Sequence, residues 1–203
     1  MPPATRSMVL REPPPQLGAT KLSLRRTPAL LTRIADPKYP NPIHWSRAGK
    51  SRFDSPEAPL GVFYLGQDLE TAVLEVFGSR WLDLRILQIS ALVRFNVFVF
   101  ALKTAYRCVN LTGGGLSLAG SDANLCASLD YPVTQRWAAA FMRHPQNPQG
   151  LAYHSRLNPK KTCYALFGSS ESDHDFQLTN QSSLLETPGT KTILNRYRVA
   201  LIP

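Results

Sequence analysis

The sequence predicts a single α+β domain, and three observations predict it. Its 203 residues, 43% of them hydrophobic, suit one domain with a sizeable core. Short apolar runs of strand character are scattered along the chain and outnumber the helical runs. No internal repeat and no linker divides the chain.

Residues 1–28 contain Pro2, Pro3, Pro13, Pro14, Pro15 and Pro28 with Arg6, Arg11, Lys21, Arg25 and Arg26. Such a segment has little to bury. It is expected to form a loosely ordered basic arm, packed along the domain or free, leaving 29–203 as the domain proper. Pro28 fits the first turn of a helix continuing through Ala29, Leu30 and Leu31. Residues 31–34 read equally well as a first strand. Residues 36–46, DPKYPNPIHWS, form an irregular loop. Its Tyr39, His44 and Trp45 either line a pocket or anchor the loop to the core, with Trp45 favouring the anchor.

The chain is organised around residues 50–78, KSRFDSPEAPLGVFYLGQDLETAVLEVFG. A polar turn holding Arg52 leads into an apolar run over 60–66. A run that short, with Val62, Phe63 and Tyr64, fits a buried strand. Asp68 is placed to cap a following helix. Leu69, Ala72, Val73, Val76 and Phe77 recur at helical spacing, and Gly78 is placed to end it. Glu75 falls on the flank of that stripe beside Thr71. There it either borders a cleft or is solvated.

Further strands are expected over 86–90, 93–100, 150–155, 162–167 and 196–202, and 108–111 is a further short apolar segment. A short helix is expected over 122–129, broken by Tyr131-Pro132. An amphipathic helix follows over 133–143 with Trp137, Ala138 and Phe141 inward. Gly113-Gly114-Gly115 matches neither a dinucleotide fingerprint nor a Walker loop, and reads as a mobile loop.

The formal net charge of +9 suits an anionic partner: nucleic acid, a phosphorylated small molecule or an acidic protein. No zinc-finger spacing or long basic amphipathic helix favours the nucleic-acid option. Cys108, Cys126 and Cys163 are far apart and form no CxxC pair, which suits free buried thiols in a reducing compartment. No apolar run reaches the length of a membrane span and no signal-peptide core opens the chain, so a cytoplasmic protein is expected.

Arg52 in SRFD, Tyr64 in VFYLG, Glu75 in ETAVLEV and Ser155 in LAYHSRLNP stand in a distinctive order. Together with Thr32-Arg33-Ile34 and LTGGGLSLAG, this order resembles the RES domain family, named for its Arg, Glu and Ser. The resemblance runs from about residue 33 to 167. Ser51 stands where the family usually has glycine, and Tyr153-His154 where a proline is common.

The resemblance implies an ADP-ribosyltransferase-like fold, with a mixed, split β-sheet core and flanking helices. It implies an NAD-consuming toxin of a toxin–antitoxin pair that cuts the nicotinamide–ribose bond, with water or phosphate as acceptor and no metal. The alternatives are a mono-ADP-ribosyltransferase with a protein target and a non-enzymatic basic nucleic-acid-binding module. Arg52, Glu75 and Ser155 are the expected catalytic residues, and Arg33, Arg52, Tyr64 and Ser155 the expected NAD-binding residues. Glu75 would stabilise a cationic ribose, Arg52 clamp the pyrophosphate, Tyr64 stack on nicotinamide, and Ser155 bond ribose or phosphate, or position the acceptor. The implied partner is a helix-turn-helix antitoxin, through which alone DNA would be met. A homo-oligomer, or a hetero-oligomer with that antitoxin, is compatible with the sequence.

Overall fold

The computed structural model describes residues 10–39 and 41–203. The elements are β1 (Leu24–Arg26), β2 (Leu30–Ala35), β3 (Gly61–Gly66), α1 (Leu69–Phe77), β4 (Ile86–Gln88), α2 (Ile89–Val93), β5 (Asn96–Leu102) and β6 (Arg107–Leu111). They continue with α3 (Gly115–Leu118), α4 (Asn124–Ala127), α5 (Tyr131–Met142), β7 (Gly150–His154), β8 (Thr162–Gly168), β9 (Phe176–Ser183), α6 (Thr190–Arg196) and β10 (Ala200–Ile202). Eight strands form one mixed sheet in the order β1-β6-β7-β8-β3-β2-β5-β9. β10 and β4 form a separate parallel pair. No helix among the described residues is long and apolar enough to cross a membrane.

The register Thr32↔Gly66 puts Ile34 and Val62 on one face of the sheet and Leu31 and Phe63 on the other. On the first face α5 buries Trp137, Ala138 and Phe141 against Val109, Leu151 and Ala165. On that face too, α1 and α6 bury Val73, Phe77 and Ile193 against Ile34 and Val97. The opposite face holds an aromatic cluster of Phe63, Phe98, Phe100, Tyr106 and Phe176. Trp45 closes that cluster, with ring centroids 5.4 Å from Phe63 and 5.8 Å from Phe176. Its Nε1–H donates to Asp173 at 2.7 Å. A Cβ on Gly168 would lie 2.7 Å from the Trp45 ring and one on Gly61 2.7 Å from the Trp45 Cβ and carbonyl oxygen, so the first makes room for the indole and the second for the backbone that carries it.

The structure differs from the sequence expectations in several places, among them Ile89–Val93, which is helix α2, and Gly115, which opens helix α3. The segment before residue 29 is not a loose arm where it is described. Leu10, Leu17 and Leu22 are buried, Trp137 Nε1–H donates to Arg11 O at 2.7 Å, and β1 pairs with β6. Its few apolar residues are spaced to meet α5, which composition does not reveal; residues 1–9 lie outside the described residues. β9 escaped notice because only Phe176 among its first six residues is buried. It is an edge strand held by backbone pairing with β5. The expected strand over 196–202 is the end of α6, a turn with Arg198 at φ 54, and the short β10. Pro132 does not break a helix but sits in the first turn of α5, where its missing N–H costs nothing.

Candidate active site

Between β2 and β3 the sheet opens. β2 pairs with β5 from Leu30↔Ala101 to Ala35↔Asn96, and β3 with β8 from Gly61↔Gly168 to Gly66↔Cys163. β2 and β3 share only the pair Thr32↔Gly66. Continued register would join Arg33 to Leu65 and Ile34 to Tyr64, and neither pair forms. The backbone groups freed there border a cavity of about 460 Å³, with Thr32, Arg33 and Ile34 on one lip and Tyr64, Leu65 and Gly66 on the other.

Arg33 sits at the split. Its Nη1–H donates to the freed Tyr64 carbonyl at 3.5 Å, and the guanidinium lies 5.0 Å from the centroid of the Phe63 ring. Its Nε is buried without a hydrogen-bond partner, and among the described residues no carboxylate pairs with it. Burial lowers its pKa to about 10, which leaves it charged at neutral pH. A half-buried cation lacking an anion at a cavity wall is matched to an anionic ligand.

Arg52 reaches the same cavity from a turn held on both sides. From α5, Gln135 Nε2 donates to Gly49 O at 3.0 Å and Ser51 O at 2.9 Å, while Thr134 Oγ1 donates to Arg52 O. From inside, the fully buried Asp54 accepts from Ser51 N–H at 2.8 Å, from Ser46 Oγ and from Tyr64 OH at 3.4 Å. Phe53 N–H donates to the Tyr64 hydroxyl at 2.9 Å. Ser51 has negative φ, and the left-handed residue of the turn is Gly49 at φ 69, so serine introduces no backbone strain. Arg52 Nε–H donates to Ser128 O at 3.3 Å, and no described carboxylate pairs with its charge.

Glu75 comes from α1, which Asp68 caps by accepting from Thr71 N–H at 2.8 Å. The helix starts pressed against β3: a Cβ on Gly66 would lie 2.8 Å from Ala72 N. This close approach sets Glu75 and Val76 at the cavity beside Arg33 and Arg52. Gly78 does not end the helix in a left-handed cap; its φ is −55, and the chain continues into a 3₁₀ turn over Gly78–Trp81. Its missing side chain makes room for Leu157, whose Cδ1 would lie 2.2 Å from a Cβ there.

The α1 start is also tied to the β7–β8 connection. Glu70 accepts from Arg196 at 2.6 Å and from Tyr197 OH at 2.8 Å, and pairs with Lys161 at 2.9 Å. Lys161 also reaches Asp68 at 2.7 Å.

Ser155 and Tyr64 both have their hydroxyls engaged. Ser155 is 1% exposed and donates from Oγ to Glu75 Oε1 at 2.6 Å. Its hydroxyl bonds the carboxylate and is not among the groups lining the cavity, where contact with ribose, phosphate or acceptor was expected. Ser155 directly follows β7, and its N–H donates to Lys161 O at 2.9 Å. Tyr64 lines the cavity, but its hydroxyl is committed to the Arg52 turn. Burial, then the Asp54 charge, pushes that phenol far above its ordinary pKa.

Sequence reasoning missed Asp54, Thr134 and Gln135, which hold Arg52, and Tyr131, Arg156 and Cys163, which line the cavity. Asp54 left a signal, a carboxylate two residues after Arg52 in the same polar turn. The others left none, because helix periodicity reports burial, not which polar groups a distant turn requires. Cys163 stays a thiol: burial and then the Glu75 charge push its pKa up. His44, beside the anchored Trp45, lines the cavity, so that loop does both things expected of it.

Fold and cleft define a mixed α+β domain with a cationic pocket and one hydroxyl-held carboxylate. The chain belongs to the RES domain family, which matches residues 30–184. Among solved structures it is similar to the toxin–antitoxin complex MbcT–MbcA of M. tuberculosis, at 14% identity and TM-score 0.55, covering 90% of this chain and 94% of that one. No protein of curated function matches the sequence.

Proposed function

We propose that this protein is a toxin that consumes NAD by cutting its nicotinamide–ribose bond. One observation carries the reading: a carboxylate braced by a buried hydroxyl, Glu75 with Ser155 at 2.6 Å, shares a cavity with the guanidinium groups of Arg33, Arg52 and Arg156, none with a carboxylate partner among the described residues. Such a cavity matches a substrate with two adjacent phosphates and a carbon that becomes cationic. Arg33 and Arg52 hold the pyrophosphate, and the buried, unpartnered Arg33 Nε supports this assignment. Glu75 faces the nicotinamide ribose and stabilises its developing positive charge. Ser155 is a positioning residue that fixes the Glu75 rotamer. As the N-glycosidic bond breaks, its electron pair goes to the pyridinium nitrogen and neutral nicotinamide leaves. Water or phosphate then adds to the sugar carbon, losing a proton. No protein nucleophile is required.

Toxin activity calls for restraint, and the similarity to a toxin–antitoxin complex supports an antitoxin partner, with a helix-turn-helix protein as the form we propose. NAD as substrate also agrees with a cytoplasmic location.

The test is product analysis of NAD incubated with the protein, with and without phosphate. Free nicotinamide is expected, with ADP-ribose in water and its phosphorylated form in phosphate. Label retained on protein would favour a mono-ADP-ribosyltransferase. Intact NAD after long incubation under both conditions would overturn the proposal.

A further inference from the structure

Three tyrosines line the cavity: Tyr64, Tyr131 and Tyr153. Two are engaged. The Tyr64 hydroxyl bonds Phe53 N–H and Asp54. Tyr153 is 4% exposed and packs edge-on against Phe53 at 5.1 Å. Tyr131 is half-buried. Among the described residues its ring has no aromatic or cationic partner within stacking range, and its hydroxyl makes no hydrogen bond.

The backbone beneath this ring is fixed. Tyr131 opens α5 with Pro132 behind it. Thr134, fully buried, sets its Oγ1 3.0 Å from Tyr131 O and also bonds Arg52 O. Ser128, three residues before Tyr131, accepts from Arg52 Nε. The start of α5 and the residue three before it therefore tether the Arg52 backbone and Nε beside an open aromatic ring at the same cavity. A ring and a cation at one cavity suit a nucleotide, the ring for its planar heterocycle and the cation for its phosphate.

We infer that Tyr131 is a ligand-binding residue, stacking on a heteroaromatic ring of the nucleotide whose phosphate meets Arg52. The inference rests on the NAD reading for the substrate's identity, and on the Tyr131–Thr134–Arg52 linkage for the geometry.

The experiment measures NAD affinity calorimetrically without turnover, in Glu75→Gln protein and in the same protein carrying Tyr131→Phe or Tyr131→Leu. Thermal unfolding of each variant verifies folding. Stacking by the ring face predicts that Phe keeps Kd within about twofold and Leu raises it about tenfold. Equal Kd in all three proteins, or a loss with Phe as large as with Leu, overturns the inference. Nicotinamide release by wild type is scored separately. Release with Tyr131-independent affinity removes the stacking role and leaves the proposed activity standing. Tyr131-dependent binding without release does the reverse. Absence of NAD binding by the parent overturns the inference, and absence of release by wild type overturns the proposed activity.

Discussion

Ser155 Oγ lies 2.6 Å from Glu75 Oε1, joining the end of β7 to the flank of α1 across 80 residues of sequence. Leu157 N–H donates to the same hydroxyl at 3.3 Å, so its proton is directed at the carboxylate. The hydroxyl is buried, and in the proposed reaction it would act through Glu75.

Ser155→Ala is therefore expected to lower kcat for nicotinamide release about 10-fold to 100-fold while leaving KM within about threefold, because the carboxylate loses its orientation and not its charge. A large rise in KM with unchanged kcat would return Ser155 to substrate binding.

Glu75 is exposed and its side chain does not build the core. Glu75→Gln should leave the thermal midpoint within about 2 °C and reduce nicotinamide release by at least about 100-fold, the scale of one electrostatic contact to a developing charge. Activity within tenfold of wild type would remove Glu75 from the reaction.

Arg33 predicts an opposed pair of effects. Replacing a half-buried, unpaired cation by Met relieves its partial desolvation, so Arg33→Met should leave stability unchanged or raised while weakening NAD binding at least about tenfold. Because its pKa is near 10, its contribution to anion binding should be flat between pH 6 and 9 and fall as pH rises through about 10. Titration of Kd against pH in wild type and Arg33→Met checks both statements.

Asp54 organises three donors inside the Arg52 turn. Asp54→Ala leaves them without an acceptor and should cost about 3 kcal/mol of stability or more, at about 1–3 kcal/mol for each unsatisfied donor. Its KM for NAD should also rise. Asp54→Asn retains an acceptor oxygen and should recover most of both. Chemical unfolding together with kinetics tests the pair.

The Lys161 network gives α1 a pH signature. Burial alone would raise the Asp68 and Glu70 carboxyls, but hydrogen bonds, first from Lys161, hold both below their usual values. Burial alone would lower Lys161, but Asp68 and Glu70 raise it. The carboxylates' contribution is complete above their unfolded pKa of about 4 and is lost as pH falls through the lower folded values. That of Lys161 is complete below about 10.4 and is lost as pH rises through its raised folded value. Lys161→Met should lower the thermal midpoint at pH 7 by about 2–4 °C, for on the order of 1 kcal/mol, with the difference shrinking towards pH 3.

The chain's own residues determined the elements nearest the site. A run rich in Val, Phe and Tyr bounded by Pro59 and Gln67 made β3, and Asp68 with apolar residues at helical spacing made α1. These signals are local, since strand alternation, helix periodicity and capping act over a few residues. The order of Arg52, Tyr64, Glu75 and Ser155 was likewise sufficient to indicate the family. What only the tertiary structure decided is which groups face the cleft and which stand behind it. The opening between β2 and β3 brings Arg33 in from a distant strand, α5 supplies Tyr131 and the clamp on Arg52, and the end of β7 brings Ser155 to Glu75. Those relationships depend on register and packing between segments up to 86 residues apart, and at that range a sequence states which donors and acceptors exist but not which of them meet.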